Sequence, residues 1–185
     1  MIGIKVAKVI NHDHWAGSIG TLNAGPYILR FRTPVLMPKD VSGYIHRLSV
    51  VWSYADEDSG EMPEDSVSEE MEVFENRLIE AWERDYNAIL TEVLTFDGAR
   101  QWVFYTKDVN ECGNRICDMP QNEEPYPIEM ETEDDPEWEY LREDILGRIS
   151  WEEHQDEWDK SLSSSANNTE QQHLQGPGDK TPPGL

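Results

Sequence analysis

Ile89-Leu90-Thr91-Glu92-Val93-Leu94-Thr95-Phe96-Asp97-Gly98-Ala99-Arg100-Gln101-Trp102-Val103-Phe104-Tyr105-Thr106 decides the fold of this chain. Two runs rich in β-branched and aromatic residues flank Asp97-Gly98. That dipeptide tolerates positive φ at both positions, so it is the strongest short-range signal for a tight hairpin. Trp102, Phe104 and Thr106 share one face of the second run, and Val103 and Tyr105 take the other.

Outward from the hairpin, the same order appears on each side. Before it, Ser66–Tyr86 reads as a helix: Ser66 and Glu69 match a capping box, and Val67, Met71, Phe74, Leu78 and Trp82 recur at the helical period. Glu80 and Arg84 stand four apart, as a pair on its outer face would. After it, Asp108–Met119 reads as a second helix with Asp108 and Glu111 as its box and Val109, Cys112 and Ile116 as its apolar stripe. Gly113 weakens that helix by about 1 kcal/mol relative to alanine.

One step further out, 45–54 alternates, with Leu48, Val50, Trp52 and Tyr54 facing a core. Tyr126, Ile128 and Met130 alternate likewise within 126–131. The order β, α, β, β, α, β over residues 45–131 predicts an α+β fold, a ferredoxin-like split βαβ sandwich with an antiparallel sheet and two helices on one face. Tyr27, Leu29 and Phe31 alternate with Arg30 and Arg32, which adds an N-terminal strand to the sheet. Asp135 before Pro136 is expected to cap a C-terminal helix whose apolar face is Trp138, Leu141 and Ile145. A further turn is expected around Trp151–Trp158. Residues 1–160 read as a single domain, and 161–185, rich in Ser, Asn, Gln, Gly and Pro, as a disordered tail.

The formal net charge is −23, and seven Trp and seven Tyr accompany 37% hydrophobic residues, enough for a core. Residues 1–47 hold six Lys and Arg against two Asp, a balance of +4 that leaves −27 for the remainder. Such a field repels nucleic acid and favours a basic protein partner. No apolar run long enough to span a membrane and no leader-like N-terminus is seen, so the expected place is the cytoplasm. Cys112 and Cys117 are five apart, which points them to different helix faces and argues against a mutual disulfide. A buried Cys112 reads as a small hydrophobe.

His12-Asp13-His14 is the compact cluster of metal-capable groups. Two histidines two apart on a strand would face one ion, but no third ligand follows at a recognisable spacing, so a surface or structural role is expected and no cofactor is implied. Arg30, Arg32, Arg47 and Arg100 are the cations on expected strands. They form a basic spot if they cluster outward, and pairing with the chain's own carboxylates is the expected alternative. No phosphate loop, nucleophile elbow or catalytic residue is recognisable.

Gly25-Pro26-Tyr27 with Leu29-Arg30-Phe31-Arg32, Val51-Trp52-Ser53-Tyr54 with Gly60 and Pro63, Phe74-Glu75 with Leu78, Arg100 with Phe104-Tyr105-Thr106, Tyr126-Pro127 and Asp135-Pro136-Glu137-Trp138 occur in this order. In these the chain resembles the domain of unknown function 695 family of bacterial proteins, over about residues 25–146. Members are sometimes associated with the regulator of ribonuclease E activity B type of domain, an acidic protein inhibitor. The resemblance therefore implies a binding role and supplies no catalytic residue.

The expected function is a non-catalytic, acidic protein-interaction module of inhibitor or immunity type. The alternative is an enzyme or a small-ligand or metal-binding protein, with a pocket between the sheet and the polar loop of residues 56–65.

Overall fold

The computed structural model of the chain describes residues 3–22, 25–33, 36, 41–56, 60–122 and 125–148. Its elements are α1 (Gly3–His12), β1 (His14–Leu22), β2 (Gly25–Thr33), β3 (His46–Ser53), α2 (Asp65–Glu83), β4 (Ala88–Phe96), β5 (Ala99–Thr106), α3 (Val109–Asp118), β6 (Ile128–Asp134) and α4 (Glu139–Arg148). A short 3-10 turn, Arg84–Tyr86, follows α2. The six strands make one sheet in the order β1-β2-β4-β5-β3-β6, antiparallel at every pairing. β5 thus lies between β3 and β4, and α2 carries the chain across it. The α+β class, the antiparallel sheet and the C-terminal helix expected from the sequence are all present.

The hairpin is built as its turn residues require. Asp97 and Gly98 both take positive φ, 51° and 76°, the combination that matches the twist of the flanking strands. A Cβ on Gly98 would stand 2.9 Å from the carbonyl oxygens of Ala55 and Asp56, because Gly98 O accepts the N–H groups of Tyr54 and Ala55 there. Between Leu90 and Glu92 the register slips by one residue, and Thr91 turns its hydroxyl to donate to Val103 O at 3.0 Å. Such a bulge re-aims the strand that contains it.

At the N-terminus the sequence reading needs extending. The strand around Tyr27 is β2, and both α1 and an edge strand β1 precede it. β1 contains Ala16, Gly17, Ser18 and Gly20, so its period-two pattern is faint. The boxes at the helix starts also differ from expectation. Glu64 holds the N-cap of α2 with no side-chain bond, and Ser66 lies inside the helix. Asp108 does cap α3, accepting Glu111 N–H at 3.0 Å, while the Glu111 carboxylate takes Arg115 Nε four residues on. α2 stops at Glu83 because Asp85 and Tyr86 adopt left-handed backbone. Arg84 therefore falls at the C-cap, where its ion-pair partner is Asp85 and not Glu80.

The core on one face of the sheet joins Leu48, Val50, Trp52, Trp102 and Phe104 to Met71, Phe74, Leu78 and Trp82 of α2 and Cys112 of α3. Phe74 meets Trp52 and Trp102 edge-on, at ring distances of 5.5 and 5.3 Å, a favoured aromatic geometry. Tyr126 and Ile128 pack against this cluster, while Met130 of the edge strand β6 stays exposed. By alternation, Leu29, Phe31, Val103 and Tyr105 bury themselves on the other face. There Trp138 stacks on Tyr105 at 3.9 Å and donates Nε1–H to Tyr44 O at 2.8 Å.

The closing segment corrects one detail of the capping. Asp135 serves the first turn of α4, its carboxylate accepting Glu139 N–H at 2.7 Å and Tyr140 N–H at 3.1 Å. The helix nonetheless starts three residues later than Pro136. Trp138 N–H closes a turn on Asp135 O, and Trp138 adopts a φ of 54°, so Pro136–Trp138 cannot be helical. The Ile145 side chain, the helical turn expected at Trp151–Trp158 and the tail at 161–185 lie outside the described residues.

Burial, with a smaller push from Glu83, raises the Tyr44 hydroxyl to about 12; Tyr44 donates to Tyr86 O at 2.6 Å. Tyr105 is raised too, by burial and by its bond to Asp135. An unfolded chain releases these protons from about pH 10, whereas the folded chain keeps them, so stability falls as pH rises from about 10 upward. Urea midpoints measured across that range should show the decline, and Tyr44→Phe should make it shallower.

Candidate functional site

Four arginines on the strands organise the charge of this protein. Arg30 and Arg32 project from β2 on the helix side of the sheet. Arg30 donates to both oxygens of Glu75 on α2, at 3.0 and 2.7 Å, and Glu75 also accepts Trp102 Nε1–H at 2.7 Å. Arg32 pairs with Glu83 at 3.0 Å with both side chains buried, and the same carboxylate takes Leu90 N–H at 2.9 Å. Burial pushes Glu83 up, while Arg32 and the Leu90 N–H pull it back. Trp15 of β1 lies under both guanidinium groups, at 5.6 and 4.9 Å from its ring, a cation–π arrangement.

On the opposite face Arg47 pairs with Glu133 of β6 and lies 4.1 Å over the Tyr140 ring. Three of the four arginines therefore pair with the chain's own carboxylates, the alternative weighed from the sequence. Arg100 is the fourth, and among the described residues it makes no ion pair.

The acidic groups of β6 are arranged differently. β6 is an edge strand with β3 as its one neighbour, and alternation puts Glu129, Glu131 and Glu133 on one face. Glu133 is taken by Arg47. Glu129, opposite Val51 in the register, and Glu131, opposite Ser49, are exposed. They stand on one wall of an open depression of about 360 Å³ whose other lining residues are Val51, Ser53, Ala55, Asp97, Gly98 and Ala99. The hairpin turn supplies Asp97, so three carboxylates border a floor of small side chains. Among the described residues, none of the three makes an ion pair. Such a depression beside an unpaired strand edge can accept an extended segment by strand addition, with basic side chains answering the carboxylates.

The histidines expected to share a strand do not. His12 ends α1, His14 begins β1, and Asp13 between them takes a φ of 45°. Their rings meet edge to face at 6.0 Å, while Asp13 accepts Trp15 Nε1–H and pairs with Arg32. Among the described residues no group of three or more His, Cys, Asp or Glu side chains is placed to hold a metal ion. Cys112 is buried, Cys117 exposed, and both are free thiols. Burial pushes the Cys112 thiol up, against the direction a nucleophile needs.

The described residues form an α+β arrangement with a six-stranded antiparallel sheet, buried Glu83 paired with Arg32, and an acidic depression bordered by Asp97, Glu129 and Glu131. The chain belongs to the family of unknown function DUF695, whose model it matches over residues 13–145. That span includes β1, which the resemblance read from the sequence left out. No curated protein and no solved structure matches the chain. No helix among the described residues is long and apolar enough to cross a membrane.

Proposed function

We infer that the protein is a non-catalytic interaction module that receives a basic, extended segment of another protein along β6 and the depression beside it. Restraint of that partner, as an inhibitor or immunity protein would exert it, is the role that this reading assigns. The observation that carries it is the contrast between the two classes of carboxylate. Buried Glu75 and Glu83 are neutralised by Arg30 and Arg32, whereas exposed Glu129 and Glu131 and half-buried Asp97 have no cation among the described residues and border one depression.

Charge complementarity of this kind acts mainly on the rate of encounter and on the choice of partner. The −27 balance of residues 48–185 supplies the long-range field. Exposed acids on an edge strand also deter self-pairing, and a basic strand turns that same feature into recognition.

The test uses a synthetic peptide alternating lysine and valine as the probe. Calorimetry should give saturable binding at low salt that weakens steeply as salt is raised. Glu129→Lys combined with Glu131→Lys should weaken it about tenfold or more. Binding that ignores both salt and the double reversal would contradict the reading.

A further inference from the structure

Arg100 is the strand arginine that makes no ion pair among the described residues, and its surroundings suit a carboxylate. It stands on β5 two residues before Trp102, on the helix side of the sheet, opposite Thr95 in the register. Its Nε donates to Thr95 Oγ1 at 2.9 Å, which draws the side chain toward β4. Arg30 on β2 lies one row further along, opposite Val93, and its own guanidinium is tied through NH2 to both oxygens of Glu75. Glu75 is also held by Trp102. Two guanidinium groups therefore converge near one carboxylate that is already engaged.

The Tyr54 hydroxyl stands at the same end, donating to Glu61 O at 3.0 Å. Burial lowers the Arg100 pKa, with Glu75 opposing that shift and Arg30 adding to it, so Arg100 feels both groups. Arg100 itself is half-buried. The Arg30 side chain keeps 42% of its exposure.

We propose that Arg100 and Arg30 form an anion-binding site that takes a carboxylate group presented by a ligand. Charge decides the class of anion. Two cations face Glu75 and exposed Glu72, which also acts on Arg100, so the cluster is neutral before binding and a monoanionic carboxylate adds a single negative charge. A phosphate dianion would add two there. Geometry agrees, because the guanidinium fork matches a carboxylate in a bidentate fashion. The site lies on the face opposite the acidic depression, so it does not depend on the reading of that depression.

Acetate is the first probe, titrated at constant ionic strength while the arginine Nε–H resonances are followed by NMR. Arg100 Nε–H should shift saturably, with Arg47 Nε–H, held by Glu133 and Tyr140, as the unmoved internal reference. Acetamide, which lacks the charge, should produce no shift, and inorganic phosphate should bind more weakly than acetate. Arg100→Gln should weaken acetate binding about tenfold, the value of one charge-assisted contact; Arg100→Lys should restore part of it. The Glu129→Lys, Glu131→Lys protein should bind acetate as well as the unchanged chain, which separates this site from the proposed partner surface.

Two blocked peptides, one with its carboxylate at the C-terminus and one with it on an aspartate side chain, then distinguish a chain end from an acidic side chain as the source. An Arg100 resonance that acetate does not move in the unchanged protein would overturn the proposal without reference to any variant. Equal acetate affinity in a folded Arg100→Gln protein would overturn it as well.

Discussion

Replacing Trp138 by alanine is expected to remove about 3 to 5 kcal/mol of folding stability, the range for truncating a large buried aromatic side chain. Trp138 is fully buried, stacks on Tyr105 at 3.9 Å and 17°, and bonds to Tyr44 O at 2.8 Å. Alanine loses the apolar burial and the stack and leaves the Tyr44 carbonyl without its donor. The disturbance would reach the cap as well, because Asp135 is fixed by Tyr105 and in turn fixes the start of α4. Urea unfolding followed by circular dichroism, which does not depend on the lost indole, checks this. A variant within about 0.5 kcal/mol of the unchanged chain would fit surface behaviour, which would mean that Trp138 is a docking group and not a core residue.

Glu83→Ala should cost a similar amount for a different reason. Its partner Arg32 keeps 3% of its side-chain exposure and Glu83 itself 7%, so removing the carboxylate leaves a guanidinium buried with little compensation. Breaking one side of a buried pair typically costs about 3 to 5 kcal/mol. Asp13 also reaches Arg32, at 3.3 Å, but is 67% exposed, so it recovers only a part. The variant also strips the Leu90 N–H of its acceptor. Arg32→Met combined with Glu83→Leu should be much less destabilised than Glu83→Ala alone, because no charge is then left in the interior. A double-mutant cycle by urea unfolding separates these values. Equal losses in the double and single variants would show that packing and not charge sets the cost.

Much of this fold is written locally in the chain. Asp97-Gly98 fixes a hairpin because the two residues together tolerate a backbone that few others adopt, and the stripe from Met71 to Trp82 fixes a helix by its period alone. β1 is different: Gly17, Gly20, Ala16 and Ser18 give no alternation to read, and its place is set by pairing with β2. α1 did carry a signal, since Val6 and Val9 are three apart and buried, but it has no capping residues to mark its start. The delayed beginning of α4 depends on the left-handed turn at Trp138, which Pro136 does not foretell.

The candidate surfaces were less legible. Glu129, Glu131 and Glu133 share a face on any strand reading of that segment. What the sequence hides is that β3 beside them offers Arg47 to one glutamate and Val51 to another. Likewise Arg30 and Glu75 are 45 residues apart, so their pairing, and the exclusion of Arg100 from it, follows from strand order and from no local pattern. Charge composition revealed that acids would be abundant; only the fold separates neutralised acids from exposed ones.

Hydrogen–deuterium exchange on the full chain, alone and saturated with its basic partner or the lysine-valine peptide, tests the central claim most directly. Slowed exchange of β6 backbone amides and of Asp97–Ala99 is the predicted footprint, with the Glu129→Lys, Glu131→Lys protein showing none. Protection confined to other elements, with β6 exchanging as fast in the complex as alone, would contradict the assignment of this edge as the binding surface.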